Sequence, residues 1–370
     1  MEEVSSLYVH VPFCRKKCIY CDFYSLEKGE RGDYLKLILK ELNLNAPQFN
    51  QFPTVYFGGG TPSLMGAPFF EGVLSRIGQF SEVSVEVNPE DATREKLKEY
   101  KEVGINRISL GIQSLNDRVL RALKRQNTAK ENLKAIENSL SVFSNVSVDL
   151  IYGAPDQTLE ELLKELEVIT SYPIKHISLY ALTLYEGTPL LEKVRKGEVK
   201  LPEEEETSEF YYNAIDFLKD RGFSQYELSN FAVKGFESRH NISYWKLKNY
   251  LGLGPSAASF LERTYRQNLK DLKAYREKVE RGELPTEVEE RYSKKELLEL
   301  KLLMGLRLTE GIDLEELKIR EAFEELSKRE PVNSLLEEGL LVYNRPVLRI
   351  GKKGLFTYNA VVGTLISSLL

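Results

Sequence analysis

The stretch YVHVPFCRKKCIYCDFYS, residues 8–25, contains every cysteine of the 370-residue chain. Three residues separate Cys14 from Cys18, and two separate Cys18 from Cys21. The run SLYVHV, rich in apolar and β-branched residues, comes just before the first cysteine and predicts a buried strand. All the thiols of the chain therefore belong to one short loop that follows a strand.

Three kinds of site compete for this cysteine loop. A disulfide is disfavoured because the number of cysteines is odd and such short loops strain the bridge. A zinc ion bound by the three thiolates and His10 is chemically sound, since three cysteines and one histidine form a common zinc site. The third reading is an iron–sulfur cluster. Three cysteines on a cubane of four irons leave one iron open to a small molecule.

Strand-like and helical runs alternate along the first half of the chain. The further strand-like runs are TVYFGGG (54–60), VSVEVN (83–88), RISLGIQ (107–113), VSVDLIYG (146–153) and HISLYALT (176–183). This βα order predicts parallel strands with right-handed crossovers. Six such units favour an α/β fold built as a partial (β/α)6 barrel over a flat sheet. The helix expected around 116–140 is predicted to break near Asn127.

Unusual residues cluster where these strands end. Glycines 58–60 and Thr61 follow the second strand, Glu86 ends the third, and Gln113 ends the fourth. In parallel barrels the functional site is assembled from the C-terminal ends of the strands. A glycine triplet there lets a ligand approach the backbone closely.

Composition limits the class of protein. The net charge of −5 argues against a nucleic-acid-binding surface. No apolar run reaches the roughly 18–20 residues that span a bilayer, and the N-terminal residues lack the basic and apolar regions of a signal peptide. We therefore expect a cytoplasmic protein with no transmembrane segment and no nucleic-acid partner.

The pattern changes in the second half of the chain. From about residue 294, KKELLELKLLMGLRL predicts an amphipathic helix, and LLVYNRPVLRIGKKG predicts a β-hairpin. Helices followed by such a hairpin resemble a winged-helix module. We predict two domains, a barrel with an extension in residues 1–290 and a small C-terminal helical, winged-helix-like domain in residues 291–370.

The ordered motifs of this chain resemble a known family. The cysteine spacing with its aromatic neighbours resembles the signature of radical S-adenosylmethionine (SAM) proteins. The runs YFGGGTPSL, VEVNPE, RISLGIQSLND, VDLIYGAPDQT and HISLYALTLYEGTPL together resemble the oxygen-independent coproporphyrinogen III oxidase-like family. The resemblance covers about residues 5–260 and extends to that family's small C-terminal domain. It implies a partial (β/α)6 radical SAM barrel, which agrees with the strand order.

The resemblance also implies cofactors and the residues that bind them. Cys14, Cys18 and Cys21 would ligate a [4Fe–4S] cluster, and SAM would bind its open iron. The matching positions for SAM contacts are Tyr8, Phe23, Gly59, Gly60, Thr61, Glu86, Gln113, Arg125 and Asp149. Plainer alternatives remain at single positions: the glycines could form a tight turn, Glu86 could help to cap a helix, and Arg125 could be a surface residue.

Two branches of this family differ in function. Oxidases carry a further cysteine where this chain has Phe23, and they have a longer stretch before the cluster motif. The segment RHNISYW resembles the HemW-like branch of haem chaperones. Haem binding and transfer is therefore the expected function. The alternative is a radical SAM enzyme, either a coproporphyrinogen III oxidase or an oxidoreductase acting on another small substrate, so the sequence leaves enzymatic activity open.

A haem ligand is harder to assign, because the chain has only three histidines. His240 is the candidate ligand, and the alternative is a structural histidine beside Asn241 and Trp245. Asn127 and Ala258 stand where many relatives have a histidine. The expected partners are haem or a porphyrin-type small molecule, a haem-accepting protein and an electron donor protein.

Overall fold

The computed structural model describes residues 4–29, 31–45, 52–78 and 80–369. The strands are β1 (Ser6–Val11), β2 (Thr54–Gly59), β3 (Glu82–Val87), β4 (Arg107–Gln113), β5 (Val146–Tyr152), β6 (His176–Ala181), β7 (Ser224–Gln225), β8 (Asn230–Ala232), β9 (Tyr250–Leu253), β10 (Ala258–Leu261), β11 (Thr264–Asn268), β12 (Thr286–Arg291), β13 (Ile312–Asp313), β14 (Leu341–Asn344) and β15 (Val347–Ile350).

The α-helices are α1 (Tyr34–Asn45), α2 (Ala67–Leu74), α3 (Arg94–Glu102), α4 (Asp117–Ala122), α5 (Ala129–Leu140), α6 (Leu159–Ser171), α7 (Pro189–Arg195), α8 (Glu204–Asp220), α9 (Arg239–Trp245), α10 (Leu272–Glu280), α11 (Lys294–Gly305), α12 (Arg320–Leu326), α13 (Val332–Glu337) and α14 (Tyr358–Leu369). Among the described residues, no helix has both the length and the apolar character that crossing a membrane requires.

Strands β1 to β6 lie side by side in chain order and are all parallel. On its other side β1 pairs with β9, and β6 pairs with the antiparallel strand β8. The first and sixth strands therefore pair with other strands instead of with each other, and the barrel stays open. The expected partial (β/α)6 barrel is confirmed.

The barrel strands have one apolar face and one polar face. Val9, Phe57 and Leu110 belong to the hydrophobic core between the strands and the surrounding helices. The residues of alternate positions are polar and bond to one another across strands, as when Thr54 Oγ1 donates to Ser6 Oγ at 2.9 Å. Parallel strands are usually apolar on both faces. The alternation here gives the barrel a polar interior.

The predicted break near Asn127 is present and has a local cause. Helix α4 ends at Ala122, and Lys124 adopts a left-handed backbone conformation with φ of 57°. Thr128 then begins α5 with a capping box in which it and Glu131 exchange hydrogen bonds. Two short helices therefore replace the single helix.

The C-terminal region contains the predicted hairpin. Strands β14 and β15 are antiparallel, and β13 adds to β15 to make a three-stranded sheet beside α11–α14. This region touches the barrel extension through a bridge between Glu227 and Leu308. The domain division at residues 290 and 291 stays a prediction.

Candidate functional site

The cysteine loop lies across the rim of the barrel, defined here as the C-terminal ends of β1–β6. Its base is closed by two backbone hydrogen bonds, from Cys14 N to Leu26 O at 3.0 Å and from Leu26 N to Pro12 O at 2.6 Å. The Arg15 guanidinium donates to both carboxylate oxygens of Asp91, at 2.6 and 2.7 Å. This buried acid follows β3, so the ion pair fixes the loop to the rim.

A chain of hydrogen bonds joins two of the cysteines through the rim. The Thr61 hydroxyl donates to Cys14 Sγ at 3.5 Å and accepts from Asn88 Nδ2 at 3.3 Å. Arg125 donates from Nη2 to Asn88 Oδ1 at 3.1 Å and from Nη1 to Cys18 Sγ at 3.4 Å. The segments that follow β2, β3 and α4 thus each supply one polar group that orders the thiols.

Arg125 brings a positive charge to the sulfur of Cys18. Its Nη2 also donates to the carbonyl of Gly111 at 2.9 Å, while its buried Nε has no partner among the described residues. The Tyr20 ring lies against the same thiol, and burial, followed by the charge of Cys18, raises the pKa of Tyr20. A guanidinium that donates to sulfur stabilises the thiolate, the form that binds metals.

Glycine is required where β2 meets the cysteine loop. A Cβ atom at Gly60 would lie 2.8 Å from Phe13 O and 3.1 Å from Cys14 Sγ. Gly59 has a φ of 115°, and a Cβ there would lie 2.6 Å from the His10 ring. The glycine triplet therefore allows the close approach of strand end and loop, beyond forming a turn.

In this fold His10 is not available as the fourth ligand of a zinc site, because both of its ring nitrogens have other partners. His10 Nδ1 lies 3.0 Å from the Tyr8 hydroxyl, and Nε2 lies 2.9 Å from the carbonyl oxygen of Tyr24. Among the described residues, no three His, Cys, Asp or Glu side chains are close enough together to hold one metal ion. An iron–sulfur cluster presents a separate iron to each thiolate, whereas a zinc ion draws all its ligands to one point.

The third thiol shares the environment of the other two. Cys21 N donates to Cys18 O at 3.3 Å. Burial raises the pKa of the Cys21 thiol to about 11, and the charges of Cys18 and Cys14 add repulsion. Three thiols that repel one another as anions, beside a buried guanidinium, fit a cationic metal cluster that neutralises them.

Two half-buried carboxyl groups face the barrel interior beneath the rim. Glu86 accepts from the Tyr56 hydroxyl at 3.0 Å and from Gly59 N at 3.1 Å. Burial, followed by repulsion from Asp149, raises the pKa of Glu86 to about 7. Asp149 accepts from Ser109 Oγ at 2.8 Å, and burial raises its pKa as well. The pair can accept hydrogen bonds from an amine or from hydroxyl groups.

The remaining candidates for SAM contacts have different surroundings. The rings of Tyr8 and Tyr56 stack at 6.3 Å beside Glu86. Gln113 has a φ of 68°, which is unfavourable for a residue other than glycine and is frequent at functional sites. The Phe23 side chain is 61% exposed on the cysteine loop. Gln113 and Phe23 lie at the rim and Tyr8 lies within β1 beneath it, and their roles towards SAM stay predictions.

His240 lies at the opposite end of the barrel, where both ring nitrogens have hydrogen-bond partners, and its expected role as a haem ligand stays a prediction. Its Nδ1 lies 2.8 Å from Thr54 Oγ1, and its Nε2 lies 2.6 Å from the Tyr244 hydroxyl. Backbone amides at the start of α9 donate to Glu82, the first residue of β3. Helix α9 therefore closes the N-terminal end of the barrel, called the floor below. These contacts favour the structural alternative for His240.

The other two histidines are also fully bonded. Besides His10, whose contacts are given above, His176 lies 2.8 Å from Ser147 Oγ through Nδ1 and 2.8 Å from the Tyr226 hydroxyl through Nε2. Since the chain has three histidines, none offers a free ring nitrogen to an iron in this fold.

Sequence reasoning missed several residues of the site. Asn88, the last residue of the run VSVEVN, was given no role, although it links Thr61 to Arg125. The ion pair of Arg15 with Asp91 was not foreseen, because 76 positions separate the two residues. The motif VEVNPED carried the signal, since an asparagine and an acid directly follow a strand that ends at the rim.

Comparisons with known proteins agree with this geometry. Residues 8–169 match the family model of the radical SAM superfamily, and residues 292–357 match that of the HemN C-terminal domain. The chain is 33% identical to the heme chaperone HemW of Lactococcus lactis subsp. lactis, over 96% of this chain and 95% of that protein. It is 30% identical to HemW of Bacillus subtilis, over 99% of this chain and 100% of that protein.

Among solved structures, coproporphyrinogen III oxidase (HemN) from Escherichia coli shares the fold, with a TM-score of 0.83 at 22% identity over 100% of this chain and 91% of that one. The chain belongs to the radical SAM superfamily and, within it, to the oxygen-independent coproporphyrinogen III oxidase-like family that includes HemW. The family expected from the ordered motifs is confirmed. The cofactors of this superfamily are a [4Fe–4S] cluster and SAM, and the thiols and polar groups at the rim fit both.

Proposed function

We propose that this protein binds haem and passes it to a recipient protein, and that it holds a [4Fe–4S] cluster and SAM at the rim of its barrel. The observation that carries the proposal is the similarity to two HemW heme chaperones along almost the whole of each chain. Phe23, in place of the further cysteine expected of the oxidases, supports the same branch.

Each group of rim residues has its own part in the proposal. Cys14, Cys18 and Cys21 hold the cluster, while Thr61 and Arg125 donate hydrogen bonds to two of the sulfurs. When bound, the cluster and SAM supply one-electron chemistry. The chain itself orders the thiols and shields them from water.

The second group of residues receives SAM. Glu86 and Asp149 accept hydrogen bonds from its amine and hydroxyl groups, and the stacked Tyr8 ring faces its positive charge. Gly59 and Gly60 leave the backbone accessible, and Gln113 adds a polar side chain at the end of β4. Phe23 covers the adenine.

Exposed aromatic residues near the rim offer a surface for a flat macrocycle. Tyr180, the second-last residue of β6, is 42% exposed, and Tyr185 in the following loop is 43% exposed. Large exposed rings are uncommon on soluble surfaces and mark interaction sites when they occur together. With no histidine nitrogen free, we expect haem to be held without an imidazole ligand.

The further partners follow from this role. A haem carrier needs a recipient protein, and a reducible cluster needs an electron donor protein. We propose that both meet the chain in the cytoplasm, and that the small domain of residues 291–370 offers a surface separate from the rim.

The test is an anaerobic titration of haem into cluster-reconstituted protein, followed by absorbance. We expect a saturable spectral change near one haem per chain, and transfer of that haem to an apo-haem enzyme. The matched control is protein treated to remove the cluster. If no saturable change occurs with the intact cluster, the haem-carrier proposal is wrong.

The second candidate function is that of a radical SAM enzyme acting on a porphyrinogen. It is favoured by the polar barrel interior and by the fold shared with HemN. The readout is 5′-deoxyadenosine formed with coproporphyrinogen III, SAM and a reductant. Formation in proportion to a decarboxylated product would establish this function, whereas a carrier gives no such product.

A further inference from the structure

Arg107 places a positive charge inside the floor of the barrel. It is the first residue of β4, where Ile108 and Leu110 point into the hydrophobic core. Arg107 and Ser109 alternate with them and face the interior, and the Arg107 side chain is only 2% exposed. About 20 Å of strand separates this position from Gln113 at the rim, at about 3.3 Å per residue.

The guanidinium of Arg107 has no partner of its own. No hydrogen bond or ion pair joins it to any residue that the structure describes, and its Nε is buried. Ser84 lies beside it in the register of β3 and β4, and its fully buried hydroxyl is also without a partner. Buried donors are almost always bonded, and an unpaired buried charge is strongly unfavourable. The Arg107 guanidinium and the Ser84 hydroxyl are therefore two neighbouring donors without an acceptor among the described residues.

The groups around Arg107 do not supply this acceptor. Asp149 is the nearby acid, and it accepts from Ser109 at 2.8 Å and from Ser147 at 3.2 Å instead. Burial, aided by the charge of Arg107, lowers the pKa of His176, which stays neutral. The same causes lower the pKa of His240 to about 3, and the Tyr56 and Tyr226 hydroxyls are bonded elsewhere. Asp149 therefore interacts with Arg107 through its charge, but none of these groups accepts a hydrogen bond from the guanidinium.

We propose that Arg107 and Ser84 form a carboxylate-binding niche in the floor of the barrel. A guanidinium binds a carboxylate through two parallel hydrogen bonds, and the serine hydroxyl adds a third donor. The carboxylate comes either from a free small acid or from the acidic arm of a larger ligand, such as haem, that itself enters the barrel. The second source rests on the proposed function, while the first is independent of it.

The test compares two pairs of probes on the full-length protein. Sodium propionate and sodium chloride at equal ionic strength are compared by thermal unfolding, because a ligand of the folded state raises the unfolding temperature. Haemin and haemin dimethyl ester are compared by absorbance titration, because the ester lacks the carboxylates. The variants are Arg107→Met, Arg107→Lys and Ser84→Ala, and Arg94→Met on the exposed surface of α3 is the matched control.

We expect one of two supporting results. If the source is a free acid, propionate raises the unfolding temperature of the wild type, and Arg107→Met abolishes this rise. If the source is a haem arm, haemin binds at least tenfold more tightly than its ester, and Arg107→Met removes the difference. In either case Ser84→Ala weakens the effect and Arg94→Met leaves it unchanged. If Arg107→Met does not fold, the other two variants provide the test. Arg107→Lys keeps the charge but loses the paired hydrogen bonds. Ser84→Ala removes only a hydroxyl that has no partner among the described residues.

The niche is refuted if neither the rise in unfolding temperature with propionate nor the tighter binding of haemin than of its ester depends on Arg107 and Ser84. Haem that binds equally well as acid and ester, together with no propionate effect, would leave the carrier proposal standing and remove the niche. A propionate effect that depends on Arg107, in a protein that binds no haem, would leave the niche standing and remove the carrier proposal.

Discussion

Arg125 Nη1 lies 3.4 Å from the sulfur of Cys18, although 107 positions separate the two residues in the chain. The contact joins the segment after α4 to the cysteine loop after β1. It places a buried positive charge on one thiol of the proposed cluster, where hydrogen bonds to sulfur tune the reduction potential.

We predict that Arg125→Met lowers the reduction potential of the reconstituted cluster by tens of millivolts, because the removed cation stabilises the more negative, reduced state. An anaerobic redox titration followed by electron paramagnetic resonance measures this shift. Arg118→Met is the control, since Arg118 pairs with Glu161 on the outer helices. An unchanged potential in Arg125→Met would show that the contact has no electronic role.

Cys18→Ala should remove the cluster. A cubane held by two thiolates loses one of its three protein anchors, so iron and acid-labile sulfide should fall close to zero after reconstitution. Chemical analysis of iron and sulfide gives the measurement, with circular dichroism to check that the chain is folded. Ser25→Ala, in the same loop and with an unbonded hydroxyl, is the control. A full iron and sulfide content in Cys18→Ala would rule out the cluster assignment.

Glu86 should make SAM binding depend on pH near neutrality. Its pKa is raised to about 7 by burial and by Asp149, and the hydroxyls of Tyr8, Tyr56 and Tyr180 face the same space. Below this pH the carboxyl group is neutral and accepts poorly from an amine. SAM affinity should therefore rise with pH up to about 7, by up to about tenfold per unit.

Calorimetric titrations of SAM between pH 6 and pH 8 measure this dependence. Glu86→Gln should flatten it, while Glu71→Gln on the exposed face of α2 should leave it as in the wild type. Rising pH affects the stability of the fold in the opposite direction to SAM affinity. The folded protein keeps a proton on Glu86 that the unfolded chain releases near 4.5, so this group lowers the free energy of unfolding as pH rises from 4.5 to 7. A pH-independent wild type would exclude Glu86 from the SAM site.

His240 should contribute to stability and leave the haem spectrum unaffected. His240→Ala removes two buried hydrogen bonds and leaves a cavity, so we expect a loss of about 2–4 kcal/mol in the free energy of unfolding. Urea denaturation measures the loss. Tyr244→Phe, which removes only one of the two bonds, should lose about 1 kcal/mol. A changed haem absorbance spectrum in a folded His240 variant would restore the ligand hypothesis.

The same histidine should weaken the fold in acid. Burial lowers its folded-state pKa to about 3, whereas the unfolded chain takes up the proton near 6.5. The free energy of unfolding therefore falls as pH drops below 6.5, by up to about 1.4 kcal/mol per unit from this group. In His240→Gln the slope between pH 6.5 and pH 5 should be shallower.

Asp91 should hold the cysteine loop in place. It is 3% exposed and accepts from Arg15, Lys96 and Ser63, so Asp91→Asn leaves charged groups without their anion. We expect a loss of about 2 kcal/mol in the free energy of unfolding and faster loss of iron to a chelator. Asp33→Asn, in an exposed ion pair, should change neither. Equal rates of iron loss in Asp91→Asn and in the wild type would contradict the anchoring role of Asp91.

Much of the fold was predictable from local patterns. The six strand-like runs correspond to β1–β6, because apolar alternation and β-branched residues report strands over a few residues. The glycine triplet and the cysteines were recognised for the same reason, since motif and spacing are contiguous. The alternation of apolar and polar residues predicted that each strand has a polar face. That this face lines the interior of the barrel could be known only from the structure.

The sequence by itself determined the family, the order of the parallel strands and the loop that carries the thiols. Only the tertiary structure decided which distant groups meet, such as Arg125 with Cys18, and which polar groups have no partner among the described residues, such as the Arg107 guanidinium. It also placed the ring nitrogens of His240 against Thr54 and Tyr244, a pairing of which the motif RHNISYW carries no sign. Hydrogen-bond satisfaction depends on neighbours that folding brings from far along the chain, so residue type and spacing alone leave it undefined.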